Sequence, residues 1–317
     1  MTTIDARPRI GAIDAARGAA LIGMALYHLS WDLAYFRIIA ADFPVDPPMR
    51  IFSHGVAGSF LLLVGVSLTL AHSAGINWCG FLRRLAIVGA AAAAVSVATY
   101  ALEPQQAIFF GILHCIAVAS LLALPLVGAP FWAALAAAAL AFAAPLFSVS
   151  SAFDSPTLVW LGLSTWTPQT LDWRPLFPWS GFVFLGVGLA RLASPRITFP
   201  ALATWRPVAF PWRALSWAGR HSLAIYLVHQ PILFGALFAW ATFTGLDERL
   251  SAEGFVATCQ SECEAGGGQP KICSDACQCV VKGLRNADLS IAMRRDDLTE
   301  PQREGYSKIV RACTATR

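Results

Sequence analysis

Charge is what this chain has least of. Only 13% of its 317 residues are Asp, Glu, Lys or Arg against 56% hydrophobic, and the mean hydropathy is +0.58. That balance excludes an ordinary soluble domain and places the chain among integral membrane proteins. Lysine is missing until Lys271, which removes the Schiff-base partner that a retinal protein with seven apolar helices would need. Histidine is missing after His229, so the cysteine-rich C-terminal stretch has no imidazole for zinc, and no metal site is expected. The net charge of +4 resides in arginines standing singly or in pairs at the ends of apolar runs. Membrane topology explains them, and no nucleic-acid partner is expected. Walker A, GxSxG and HExxH motifs are absent.

What remains is a series of long apolar runs. At about 20 residues per crossing, the sequence predicts seven spans, at about 13–36, 51–71, 81–102, 107–127, 131–147, 176–192 and 222–243. The fold class is therefore all-α, a polytopic membrane helix bundle of about seven transmembrane helices followed by a small disulfide-rich helical tail. The domains are 1–246 and 247–317. Arg7 and Arg9 precede the first run in the manner of a signal peptide. Asp14 and Arg17 interrupt that run, however, and no small-residue cleavage site follows it, so it is read as a retained helix. Arg83, Arg84, Arg191, Arg196, Arg206, Arg213 and Arg220 fall on the same side as Arg7 and Arg9. The positive-inside rule then predicts a cytoplasmic N-terminus, a periplasmic tail and residence in a bacterial inner membrane.

The tail holds six of the eight cysteines. Cys259-x3-Cys263 and Cys273-x3-Cys277 each put two sulfurs on one helical face, and Gly266-Gly267-Gly268 with Pro270 supplies a reversal between them. A helical hairpin closed by Cys259–Cys277 and Cys263–Cys273 is expected, leaving Cys279 for Cys313. Disulfides agree with an oxidising, external compartment.

Chemistry is concentrated in the first span, where ionisable residues stand in an apolar helix and mark function by default. Arg17 and His28 are eleven residues apart, about three turns or roughly 16 Å on nearly one azimuth. Asp14 can pair with Arg17, and Asp32 with His28, at helical spacing. The bland alternative is an interfacial ion pair at Asp14 and Arg17 with a helix-linking His28. Each other histidine also has two readings. His54 stands beside Gly55 and Gly58 and suits either helix packing or a site. His114 suits an interhelical bond or a site. His229 precedes Gln230 and Pro231, and the proline frees backbone carbonyls beside two polar side chains. His221 reads as an inner-interface residue and His72 as boundary material. Trp160, Trp166, Trp173 and Trp179 form either an interfacial belt or a stacking surface for a sugar.

These residues carry a resemblance. Asp14-Ala-Ala-Arg17-Gly18 with His28 resembles the Arg-x10-His signature of acyltransferase-3-type membrane enzymes. Five segments in order, IDAARGAALIGMALYHLSWDL (13–33), HGVAGSFLLLVGVSL (54–68), GILHCIAVASLL (111–122), DWRPLFPWSGFVFLGVGL (172–189) and GRHSLAIYLVHQPIL (219–233), resemble bacterial members of the heparan-α-glucosaminide N-acetyltransferase catalytic-domain family. The tail lies outside the resemblance. What it implies is transfer of an acyl group, with acetyl-CoA as co-substrate and no permanently bound cofactor, to a hydroxyl or amine of a glycan or glycoside. The catalytic histidine is then His28, by the Arg-x10-His match, or His54, by its neighbourhood. His28 is preferred, with Asp32 supporting it, His114 and His229 as further candidates, and Arg17 with Asp14 on the CoA side. The rival is a transporter or flippase for a sugar, lipid or metabolite, for which intramembrane histidines and a Pro-broken helix are equally natural. A receptor or scaffold whose tail is the working part is a third class. The partners expected are the lipid bilayer and a small-molecule or glycan acceptor, and the oligomeric state is left open.

Overall fold

A computed structural model describes residues 10–193, 205–244, 246–289 and 298–314. Arg7, Arg9 and Arg196, used above for orientation, lie outside these residues. Among the described residues there are eleven α-helices and no strands: α1 (Gly11–Tyr35), α2 (Pro47–Ala71), α3 (Trp78–Leu102), α4 (Ile112–Gly128), α5 (Phe131–Phe147), α6 (Leu176–Leu192), α7 (Phe210–Arg220), α8 (Ser222–Thr244), α9 (Leu246–Ala265), α10 (Pro270–Asn286) and α11 (Glu300–Thr314). By length and composition α2, α3 and α8 can each cross a membrane. The apolar helices α4, α5 and α6 have 17 residues each, which is about 25 Å at 1.5 Å per residue and short of a hydrocarbon core of ~30 Å.

The chain divides into two compact units, Met1–Trp31 with Asp42–Pro231, and Asp32–Ala41 with Ile232–Arg317. In the first, α6 lies against α2, α4 and α5, around fully buried Leu61, Cys115, Ala119, Ala123, Val183 and Val187. The α2–α6 crossing is backbone on backbone. A Cβ at Gly65 would collide with the Val183 carbonyl, and one at Gly186 with the Leu62 carbonyl. Small residues allow this approach where apolar helices have no hydrophobic drive to associate in lipid. Helix α3 adds Ala91 and Ala92 against Leu113 of α4 and Leu223, Tyr226 and Leu227 of α8. Its other face is open, with Val97, Tyr100 and Leu102 exposed.

Two features depart from the sequence reading. Helix α4 starts at Ile112 rather than near 107, because residues 104–106 form a 3-10 turn and the helix end is built from outside. The Asp172 carboxylate accepts the Ile112 N–H (2.7 Å) and His114 Nδ1 accepts the Gly111 N–H (3.2 Å), satisfying donors that a helix leaves unpaired. The segment preceding α4 is further tied to the 165–175 loop by Leu171 N–H to Gln106 O and Thr170 hydroxyl to Ala107 O. The second departure is α7, a short amphipathic helix outside the seven expected spans. It packs on α1 through glycine: a Cβ at Gly219 would strike the Asp14 carbonyl, and one at Gly18 the Leu215 carbonyl.

In the second unit the three disulfides join Cys259–Cys277, Cys263–Cys273 and Cys279–Cys313. Cys273, Cys277, Val280, Val281 and Leu284 make the buried stripe of α10, a helical period. Val280, Val281, Leu284 and Cys313 share a small core with Ala252, Phe255, Ile309 and Val310. Tyr35 and Phe36 meet Phe234 with centroids 5.3 and 5.4 Å apart. Cys79 and Cys115 are free, the first exposed and the second buried.

Candidate active site

Helix α1 brings His28 to the first half of α8, where His229 meets it edge to face with ring centroids 4.9 Å apart and planes at 66°. His229 stands next to Gln230 and just before Pro231, which has no N–H for the Leu227 carbonyl. Its Nδ1 lies 2.6 Å from the Tyr226 carbonyl oxygen. A carbonyl only accepts, so Nδ1 carries the proton and Nε2 is left with a lone pair. That Nε2 is buried and has no hydrogen-bond partner. Tyr226 itself stacks at 5.7 Å on His229, and Tyr27 lies 5.9 Å from His28. Asp32, one turn beyond His28 on α1, is 3% exposed.

A second group comes from the residues leading into α6. Arg174 donates to the Ser53 hydroxyl (3.0 Å) and to the Trp173 carbonyl (2.8 Å), and its guanidinium lies over Trp179 at 4.7 Å. Trp179 also meets His54 edge to face at 5.3 Å and Phe182 at 5.8 Å. The Arg174 charge acts on His28, His54 and Tyr226. Arg174 was not singled out in the sequence, where it stands only within the segment 172–189. The signal that could have found it is the Asp172-Trp173-Arg174-Pro175 run, which puts two charges at the entrance to a buried helix. Asp172, two residues earlier, caps α4 and acts electrostatically on His114 and Tyr226.

His114 is placed differently. Gly111 N–H donates to its Nδ1, so the proton sits on Nε2, 3.3 Å from the Ser96 hydroxyl. Both ring nitrogens hold structure together, joining α3 to the capped end of α4. The tryptophans are also mostly occupied. Trp173 lies against Phe109, Trp160 against Phe110, and Trp179 beneath Arg174. Trp166 remains 49% exposed.

At the other end of α1, buried Asp14 pairs with Arg17 at 3.4 Å and with Arg220 of α7 at 3.5 Å. Arg17 also donates to the Ser67 hydroxyl of α2. The structure thus brings His28 and His229 together, sets His54 beside Trp179 and Arg174, and keeps Asp14 and Arg17 roughly three turns of α1 away. His221 donates to or accepts from nothing in this group; its Nδ1 lies 2.9 Å from the Trp217 carbonyl. Chemically, the His28–His229 pair offers one unpaired buried imidazole lone pair beside a second imidazole, a setting that can take and return a single proton.

The family model for heparan-alpha-glucosaminide N-acetyltransferase, catalytic, matches residues 9–231. No curated protein and no solved structure matches the chain. The matched span contains His28, His54, His114, Arg174 and His229, and leaves out the disulfide-bonded tail.

Proposed function

Because the chain belongs to the heparan-alpha-glucosaminide N-acetyltransferase catalytic family, we propose that it is a membrane acyltransferase. It moves an acetyl group from acetyl-CoA to a hydroxyl or amine of an envelope glycan or glycoside. The observation that carries the mechanism is the His28–His229 contact with its unpaired His229 Nε2. The imidazole pair takes the proton of the acceptor as its oxygen or nitrogen attacks the thioester carbonyl. The carbon–sulfur bond then breaks, and the proton passes to the departing thiolate. Arg174, rigidly held by Ser53 and Trp179, supplies positive charge for the oxyanion of the tetrahedral intermediate.

In this reading α1–α6 and α8 make seven crossings of a bacterial inner membrane. The N-terminus and α7 lie at the cytoplasmic face, with His28, His229 and the cysteine-rich tail toward the periplasm. Arg17, about 16 Å below His28 along α1, belongs to the CoA side. The pantetheine arm, an amide chain on the order of 15 to 20 Å when extended, spans that interval.

The test is acetyl-CoA consumption by the detergent-purified chain with a panel of amino sugars and glycans. Release of free thiol that depends on acceptor, and that His28→Ala abolishes with folding intact, supports the reading. Coupled uptake of solute into vesicles without any thiol release would replace it with a transporter.

A further inference from the structure

From Trp173 to Leu246 the chain holds six arginines and no Asp, Glu or Lys, so this stretch cannot neutralise its own charge. Arg206 and Arg213 are exposed and have no ion-pair or hydrogen-bond partner among the described residues. Arg220 pairs with Asp14 at 3.5 Å while its side chain stays 46% exposed. Arg213 and Arg220 are seven residues apart, two turns of α7 or about 10.5 Å, and stand on one edge of the helix. That edge borders an apolar face. Phe210, Ala214 and Trp217 recur at i, i+4 and i+7, and all three are exposed, Phe210 at 81% and Trp217 at 58%. Just before the helix Val208 is 85% exposed. The opposite face is used inside the protein: buried Ser216 donates to the Gly11 carbonyl at 3.3 Å, and buried Gly219 lies on the Asp14 carbonyl. Leu215 and Ser216 are neighbours on α7, yet the first meets Gly18 and the second Gly11, points about 10.5 Å apart along α1. Helix α7 therefore lies across the start of α1 and not alongside it. Only His221 separates α7 from α8, which is long and apolar enough to cross a membrane. A helix joined so closely to a spanning helix lies where hydrocarbon meets water.

We propose that α7 is a binding surface for anionic phospholipid, with headgroup phosphates against Arg206, Arg213 and Arg220 and acyl chains over Phe210, Ala214 and Trp217. Charge complementarity selects the partner. Guanidiniums without a carboxylate of their own favour a lipid of net negative charge, such as phosphatidylglycerol, over zwitterionic phosphatidylcholine. The apolar face meanwhile needs a neighbour that is not water, and an amphipathic helix carrying Trp, Phe and Arg finds both in one leaflet. A second copy of the chain does not answer the same need, because a two-fold contact through this face would set the arginines of one copy against those of the other. The surface is tied to the first helix: Arg220 reaches Asp14, which also holds Arg17, so the lipid that holds α7 also steadies the start of α1. This binding depends neither on the acyltransferase reading nor on which side of the membrane α7 faces.

The test reconstitutes the full purified chain in phosphatidylcholine vesicles containing a minority of phosphatidylglycerol, with bromine on the acyl chains of one lipid or the other to quench tryptophan. Trp217 is one of eleven tryptophans, so its signal is taken as the difference between each chain and its Trp217→Phe counterpart. In the wild type, brominated phosphatidylglycerol should quench Trp217 by more than its share of the bilayer accounts for. Arg213→Gln should lower that preference by about fivefold, the worth of one arginine near an anionic surface, and Arg213→Lys should keep most of it. Added sodium chloride should weaken the preference. Because Arg213 is exposed and unpartnered, its substitution should leave the Tm in detergent unchanged, which separates lost binding from lost folding. Equal quenching by the two lipids would overturn the proposal, as would a preference that survives both Arg213→Gln and the double substitution Arg206→Gln with Arg213→Gln. Failure of either brominated lipid to quench Trp217 would also overturn it, since the face would then be covered by protein or open to water.

Discussion

His28 on α1 and His229 on α8 lie edge to face at 4.9 Å, and only one of their four ring nitrogens, His229 Nδ1, has a backbone carbonyl partner. Imidazoles used for structure spend their nitrogens, as half-buried His114 does between Gly111 and Ser96. A pair that withholds them is available for proton transfer.

Each histidine should therefore be needed, and the two together no worse than one. His28→Ala and His229→Ala are each expected to lower kcat by about 10² to 10⁴, the range of a lost general base. The double substitution should add little, because residues acting as a unit are not additive. His114→Gln, by contrast, should cut thermal stability more than kcat. Thiol-release kinetics alongside thermal unfolding separate these outcomes; full additivity of the double mutant would show independent roles.

Removing Asp172 takes the cap from α4 and the neighbour from Arg174. Asp172→Ala should cost about 1 kcal/mol, as lost helix caps do, read as a lower Tm in detergent. Gly111→Ala should be worse. Its new methyl would meet the Asp172 carboxylate, so the methyl and the cap cannot both be kept. Equal Tm for wild type and both variants would mean that the 165–175 loop does not hold α4.

The α2–α6 crossing makes a sharper demand. Gly65→Ala or Gly186→Ala puts a methyl into a facing carbonyl, and overpacking of that kind costs roughly 1–3 kcal/mol or more. Gly55 and Gly89 have open space at the same position, so alanine there should be tolerated. Comparing the melting of the four variants checks the crossing directly.

Thiol counting tests the tail. Under denaturing but non-reducing conditions two cysteines per chain should react, Cys79 and Cys115, and eight after reduction. In the native chain only exposed Cys79 should label quickly. Paired replacement of Cys279 and Cys313 by Ser opens the longest loop, with a sequence separation of 34, and should destabilise the tail by about 2–5 kcal/mol. Limited proteolysis of α9–α11 with intact acetyl transfer would place the tail outside the chemistry.

Much of the helical content was legible because it is a local property. Apolar runs end where Pro, Gly or charge appears, so α5 and α6 coincide with the segments read from the sequence, and α2, α3 and α8 differ by a few residues. The disulfide pairing was legible for the same reason, since cysteines four apart share a helical face and the glycine run sets the hairpin. Helix α7 was not. Eleven residues holding Pro211, two Arg and two Trp carry no long apolar run, and proline at the start of a helix reads as a break when the helix is not yet known.

The candidate site divides along the same line. The sequence alone determined that His28 and Arg17 share a face of one helix, because the period of an α-helix is constant. It also determined that ionisable groups in such a helix face protein or water rather than lipid. Only the tertiary structure decided that His229 rather than His114 stands against His28. It decided too that Arg174 is pinned near them, and that α7 lies across the start of α1. Those choices depend on which helices touch, and contact depends on backbone collisions avoided at Gly65, Gly186 and Gly219. A glycine in a sequence shows that a close approach is allowed; the helix that makes it is chosen by the packing of the whole bundle.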